Sequence, residues 1–273
     1  MNKKQRNFLL GLAVVVAVFF INKLTGSIFN GLANHYLGEF LNELKCAVMA
    51  FLGAVFLKKL WIYKRFDAPL LKKTWSTAIY ELVLTVLLIF LALSRREPVT
   101  AGPLGILLFV LMMICVGIYE ETLCRGLLQN TFHKFFGEDT VEHVVLATVC
   151  AGVFFGLLHL ANAFLPNVSL TAAAIQALGA CGAGIFYGAV YFRTGKNLWF
   201  VMLIHGLHDA GTFLSNHYLT NGGDTSAIIS QASLSNSLLS IFGQTAAYVV
   251  IGLFLLRKAK VEPMLKKAKA KDA

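Results

Sequence analysis

Six side chains on three apolar stretches of this sequence are of the types that hydrolyse amide bonds. Glu120 and Glu121 are adjacent, and Arg125 follows Glu121 by four residues. His159 follows Phe155 at the same spacing, and Asp209 follows His205 at the same spacing again. Residues four apart share one face of a helix, so each pair can meet on its own element. Arg125 can neutralise one carboxylate of the glutamate pair, which leaves the other free to act as a general base toward water. Asp209 is placed to hold the His205 ring in one tautomer. Two glutamates and two histidines (Glu120, Glu121, His159 and His205) could also make a zinc site with a water in the open position. Zinc and metal-free chemistry both stay open; the absence of HExxH or another compact ligand motif tilts the reading toward the second.

The elements that must carry these residues belong to a membrane. Hydrophobic residues make up 57% of the 273, and charged ones only 14%, against roughly a quarter in soluble domains. That composition excludes a disordered chain, a secreted disulfide scaffold and an ordinary soluble enzyme. Charge-free stretches mark the spans, because a lone charge in hydrocarbon is costly: 8–21, 46–57 (extended upstream as an amphipathic helix), 75–93, 103–119, 198–214 and 238–256. Residues 144–192 contain no Asp, Glu, Lys or Arg. They are too many for one crossing of about 20 residues, and Pro166-Asn167 divides them. The expectation is an all-α polytopic membrane protein of about eight transmembrane helices, residues 1–273 forming one integral membrane domain, with 103–214 as the motif-bearing core. With both ends inside, all of the 24 Lys and Arg except Lys23, Lys45, Arg95 and Arg96 fall on the cytoplasmic side, as the positive-inside rule requires. Lys3, Lys4 and Arg6 before an apolar run also resemble a signal peptide, but no clear cleavage site follows, which favours an uncleaved anchor. Residues 261–273 read as a solvated basic cytoplasmic tail beside lipid headgroups. The net charge of +10 is thus a membrane signature, and nucleic acid is not an expected partner.

Depth supports a single site. Glu120 lies 14 residues before Lys134, His159 lies 17 after Glu142, and Asp209 lies 13 after Lys196. At 1.5 Å per residue each stands about 20–25 Å along its helix from a cytoplasmic charge. The three helices therefore bring their ionisable residues to one layer near mid-membrane, where Glu120, His159 and His205 are expected within about 8 Å of each other, as a shared reacting water demands. This requires the helix of Glu120 to run on through Leu128. Other polar residues receive plainer readings. Glu81 has no companion motif and reads as a bundle-facing carboxyl; His208 reads as a neighbour of the site; His35, His133, His143 and His217 read as interfacial. Gly184-x-x-x-Gly188, with Gly179 and Ala183 before it, reads as close helix packing. Cys46, Cys115, Cys124, Cys150 and Cys181 form no CxxC pair and read as small packing residues. GxSG and GxGD are absent, and Asn221-Gly222-Gly223-Asp224 misses the first glycine of the latter.

In order along the chain, Glu120-Glu121-x-x-x-Arg125, Phe155-x-x-x-His159 and His205-x-x-x-Asp209 resemble the three motifs of the Abi family, the CAAX-processing and bacteriocin-processing (CPBP) intramembrane proteases. The resemblance spans about 103–214. It implies an eight-helix peptidase whose Glu120 activates water, whose His159 helps position that water, and whose His205 and Asp209 steady the oxyanion. Glu121 and Arg125 would support them. The family's last position takes Asn or Asp, so Asp209 fits. The implied substrates are membrane-anchored peptides or proteins, prenylated CAAX-type or bacteriocin precursors among them, and the implied location is a bacterial cell membrane. Two rivals remain. A proton-coupled transporter also uses buried Glu and His, and an immunity or scaffold protein could keep the fold without the activity.

Overall fold

The structure is a computed structural model that describes residues 2–26, 28–29, 31–57, 72, 74–165, 167–220 and 234–272, with side chains from 242 to 270 in the last two helices. Among these residues all regular structure is helical. Helix α1 is Lys3–Leu24 and α2 is His35–Phe56; α3, Ile79–Ser94, is led in by a 3-10 turn at Trp75–Ala78. Helix α4, Pro103–Glu121, continues without a break as a π-helix, Thr122–Gln129, and then as α5, Asn130–Phe136. Next come α6, Val141–His159, with a 3-10 extension at Leu160–Phe164, then α7, Leu170–Arg193, and α8, Leu198–Ser215. Helices α9, Leu234–Leu255, and α10, Lys258–Asp272, complete the described chain.

Local chemistry sets the helix starts. The side chains of Asn2, Asn34, Thr140, Ser169 and Asn197 each accept a hydrogen bond from the backbone N–H three residues on, which satisfies one of the orphan donors of a first turn. Pro103 opens α4 at a position where its missing N–H costs nothing. Among the described residues five segments are long and apolar enough to cross a membrane: Lys3–Leu24, Trp75–Ser94, Pro103–Phe136, Val141–Phe164 and Leu170–Arg193. Helices also form over the other three expected spans, but α2 carries Glu39, Glu43 and Lys45, α8 carries the motif histidines and Asp209, and the apolar run of α9 is the shorter Phe242–Leu255. Large apolar side chains face outward along the bundle, such as Val83, Val86, Phe90 and Leu93 on α3 and Leu104, Leu107 and Ile114 on α4. Water does not solvate such a surface cheaply; lipid does. The protein is an all-α, multi-pass integral membrane protein.

One departure from the expected layout has a physical reason. The basic end is not a solvated tail. Helix α10 folds back and buries Val261 and Leu265 against Val144, Phe192 and Leu256, while Lys266, Lys267 and Lys269 stay exposed. Its apolar residues lie four apart, so one face is wet and one dry. Pro166 lies outside the described residues, as does the 221–224 loop; Asn167 beside it takes a left-handed conformation at φ 62°, and α6 and α7 are separate there.

Helix packing then decides what meets. Helix α8 lies between α3 and α4, α7 lies between α6 and α9, and α2 runs along α4. Two of these crossings close on glycine. A Cβ at Gly117 would stand 2.4 Å from the Met202 carbonyl oxygen, and one at Gly206 would stand 2.7 Å from that of Met113. Between α6 and α7, a Cβ at Gly184 would come within 2.8 Å of the Gly152 Cα. No residue but glycine allows backbones so close. Gly188 packs tightly as well, against Gln129 and Thr148, whereas Gly179 faces open space.

Candidate active site

The Gly117–Gly206 crossing brings the glutamate pair of α4 against His205 of α8. His205 Nδ1 donates to Glu121 Oε1 at 2.5 Å. On the other edge of the ring, Nε2 faces Glu120 Oε2 at 3.6 Å and Asp209 Oδ2 at 3.5 Å. The imidazole is buried, as is Glu121, whereas Glu120 and Asp209 keep 22% and 21% of their side-chain surface exposed. The sequence expectation was that Asp209 holds the ring. The tight contact instead comes from Glu121, which approaches from another helix, because a partner one turn along α8 is bound to the pitch of its own element.

Arg125 lies in the π-helical segment and is 1% exposed. Its Nη1 donates to the same Glu121 Oε1 at 2.7 Å, and Nη2 donates to the Gly184 carbonyl at 3.2 Å. Its guanidinium also lies 5.1 Å from the centre of the Phe155 ring and 5.4 Å from that of Tyr187. A buried cation with a carboxylate, a carbonyl and two aromatic faces is compensated on every side. The helix does run through Leu128 as expected, but π-helically. Asn130 takes up carbonyls freed there, donating through Nδ2 to the oxygens of Arg125 and Gly126, both at 3.0 Å. Such insertions in an α-helix often mark functional sites.

His159 ends α6, half-buried. Its Nδ1 donates to the Phe155 carbonyl at 3.0 Å, and its ring meets the Phe155 ring edge-on at 4.6 Å. Phe155 also meets the His205 ring, at 6.4 Å. His159 therefore touches the aromatic wall of the cluster. It makes no ion pair with Glu120 or His205 among the described residues. The expected proximity holds as a contact for Glu120 and His205; His159 reaches the cluster by way of Phe155.

Residues 102–211, from the start of α4 through most of α8, match the family model described as type II CAAX prenyl endopeptidase Rce1-like. The likeness to that family covers this stretch, 110 of the chain's 273 residues. The matched segment holds all six motif residues. No curated protein matches the chain.

Whether this segment suits a metal depends on its donor set. Among the described residues no group of three or more His, Cys, Asp or Glu side chains is arranged to hold a metal ion. Of the zinc candidates, Glu121 Oε1 and His205 Nδ1 are bonded to each other, and the former is also held by Arg125. Among the described residues these side chains, as arranged, do not form a metal-ligand set.

Beside this cluster lies a second polar group, which the sequence alone does not bring together. Glu81 of α3 is fully buried. Its Oε1 accepts from the hydroxyls of Tyr187 at 2.6 Å and Tyr248 at 3.1 Å, and stands 2.6 Å from His208 Nδ1. Tyr187 in turn lies flat on the His205 ring, centres 4.6 Å apart and planes 22° apart. A signal existed: Tyr187 and Tyr191 are hydroxyls four apart on a small-residue helix, and both demand buried partners. Their partners, on other helices, were not legible. His133, read as interfacial, is buried at 1% exposure, near Gln129 Nε2 at 3.3 Å and tilted against Phe192. Gln129 thus replaces water at one ring nitrogen, while Nδ1 faces Glu138 Oε1 at 3.7 Å.

Proposed function

We propose that the protein is an intramembrane endopeptidase that hydrolyses a peptide bond near the anchor of a membrane-bound substrate of the prenylated CAAX class. The observation that carries this is a partly exposed carboxylate, Glu120, held 3.6 Å from a buried, doubly anchored imidazole, within a segment matched by an Rce1-like endopeptidase family.

The chemistry follows from the positions. Glu120 takes a proton from a water, and the water oxygen adds to the scissile carbonyl carbon while the carbonyl π pair moves onto oxygen. His205 donates through Nε2 to that oxyanion; Glu121 and Arg125 hold the ring fixed beforehand, so no reorganisation is needed as charge develops. Asp209 acts on the ring, because an ionised carboxylate would repel the oxyanion itself. His159, at the rim, orients the water. Collapse re-forms the C=O bond, breaks C–N, and returns the proton from Glu120 to the departing amine. Two compact, mutually closed ion clusters also suit a fixed reaction centre better than a carrier, whose ionisable groups line a path.

The test is cleavage of a farnesylated CAAX peptide by the detergent-purified full chain. Glu120→Gln is expected to lower kcat by about 10²–10⁴-fold. Turnover at the unmodified rate in that variant would overturn the assignment of the base.

A further inference from the structure

We infer that Glu81 is a positioning residue for the hydrolytic centre: through the Tyr187 hydroxyl it holds the aromatic platform on which His205 lies. Glu81 sits on α3, outside the 102–211 segment shared with the CAAX endopeptidases, and it makes no contact with Glu120, Glu121 or Arg125 among the described residues. A fully buried carboxylate is costly unless it is paired and hydrogen-bonded. Here three helices converge on one oxygen: Tyr187 from α7, Tyr248 from α9 and His208 from α8.

Tyr187 is the link. Its hydroxyl donates to Glu81 Oε1 at 2.6 Å, a short bond of the kind an ionised acceptor makes. Its ring lies on the His205 imidazole at 4.6 Å and 22°, and faces the Arg125 guanidinium at 5.4 Å. The two groups that grip Glu121 Oε1, His205 and Arg125, thus rest on the same phenol ring. Stacking by itself is weak and tolerates sliding. A tether at the far end of the ring removes that freedom. Untethered, the platform shifts, the imidazole shifts with it, and Nε2 loses its aim at the oxygen beside Glu120.

This inference rests on the hydrolytic reading for its kinetic test but has a second test that does not. In the farnesylated-peptide assay, Glu81→Gln and Tyr187→Phe are each expected to lower kcat about 10- to 100-fold, the scale of a small misplacement of a reacting group, with KM unchanged. The Glu81→Gln/Tyr187→Phe double variant is expected to be no slower than the slower single one, because both act on the same hydrogen bond: Gln exchanges the ionised acceptor for a weaker neutral one and Phe removes the donor. Multiplying effects, or a raised KM at unchanged kcat, would overturn it. So would an unaffected Glu81→Gln beside an inactive Glu120→Gln. Tyr187→Phe keeps the ring and its packing, so it remains informative where Glu81→Gln does not fold. The second test is NMR of ring-labelled histidine in detergent micelles. The ring current of Tyr187 shields the His205 ring protons, and in Tyr187→Phe that shielding is expected to change while the His143 signals stay in place. An unmoved His205 resonance refutes the tether, even if Glu120→Gln proves active and it is the hydrolytic reading that has failed.

Discussion

Helix α8 carries two histidine–carboxylate pairs one turn apart, His205 with Glu121 at 2.5 Å and His208 with Glu81 at 2.6 Å. Each sets an imidazole Nδ1 against a buried carboxylate whose Oε2 has no hydrogen-bond partner among the described residues, but His205 Nδ1 is hydrogen-bonded there and His208 Nδ1 is not. The surroundings differ as well. The first pair adds Arg125 and two further carboxylates, Glu120 and Asp209, each about one-fifth exposed. The second is closed by two phenols, and Glu81 is 0% exposed. A buried ion pair is therefore not in itself the mark of a reaction centre. Among the described residues, the first cluster sets partly exposed carboxylates beside its buried pair and the second does not, and the proposed hydrolytic reading rests on that difference.

The comparison can be broken most severely at Arg125. Replacing it with Met leaves the Glu121 carboxylate buried with His205 as its remaining partner. The expected cost is about 3 kcal/mol, the lower end for breaking a buried pair, read as a loss of unfolding free energy in detergent; an unchanged value would show that Arg125 does not compensate Glu121. A smaller effect belongs to the closed cluster. Tyr248→Phe removes one neutral donor from Glu81, with Tyr187 and His208 still in place. The expected loss is about 1 kcal/mol, by the same measurement, and a loss as large as that of Arg125→Met would erase the contrast drawn here. The smallest effect lies at a third, exposed histidine–carboxylate pair at the start of α6, whose Asp139 precedes the membrane-spanning segment. His143 Nδ1 donates to Asp139 Oδ1 at 2.8 Å, and this hydrogen bond holds the Asp139 carboxyl below its ordinary 3.8. A carboxyl lowered on folding adds stability above that ordinary value and loses it as pH falls through the lowered one. Melting profiles of His143→Gln are expected to match the parent at acid pH and to fall slightly below it above about pH 4; profiles that coincide at every pH would assign the pair no role.

Much of the site was legible before any coordinates. Glu121 and Arg125 pair as their spacing requires, and Glu120 meets His205 as the matching depths require. His205 and Asp209 also face each other, yet the ring is held by Glu121, a choice between two carboxylates that depends on how α4 and α8 cross. The crossing hangs on Gly117 and Gly206, which are unremarkable as two glycines in apolar helices until their backbones are seen to touch. The π-helical turn around Arg125 and the Glu81–Tyr187–His205 chain were not legible, since neither has a periodic signature.

By itself the sequence determined that the chain crosses a membrane, that it does so as helices, and which ionisable residues share a layer. Those follow from composition, from the cost of charge in hydrocarbon and from the fixed rise of a helix, all of them local or one-dimensional. Tertiary structure alone decided which carboxylate grips which imidazole, that Tyr187 joins two polar clusters, and that the basic end packs as α10. Those outcomes depend on the rotation and crossing of helices far apart in the chain, and helix rotation is set by the close packing of all neighbours at once.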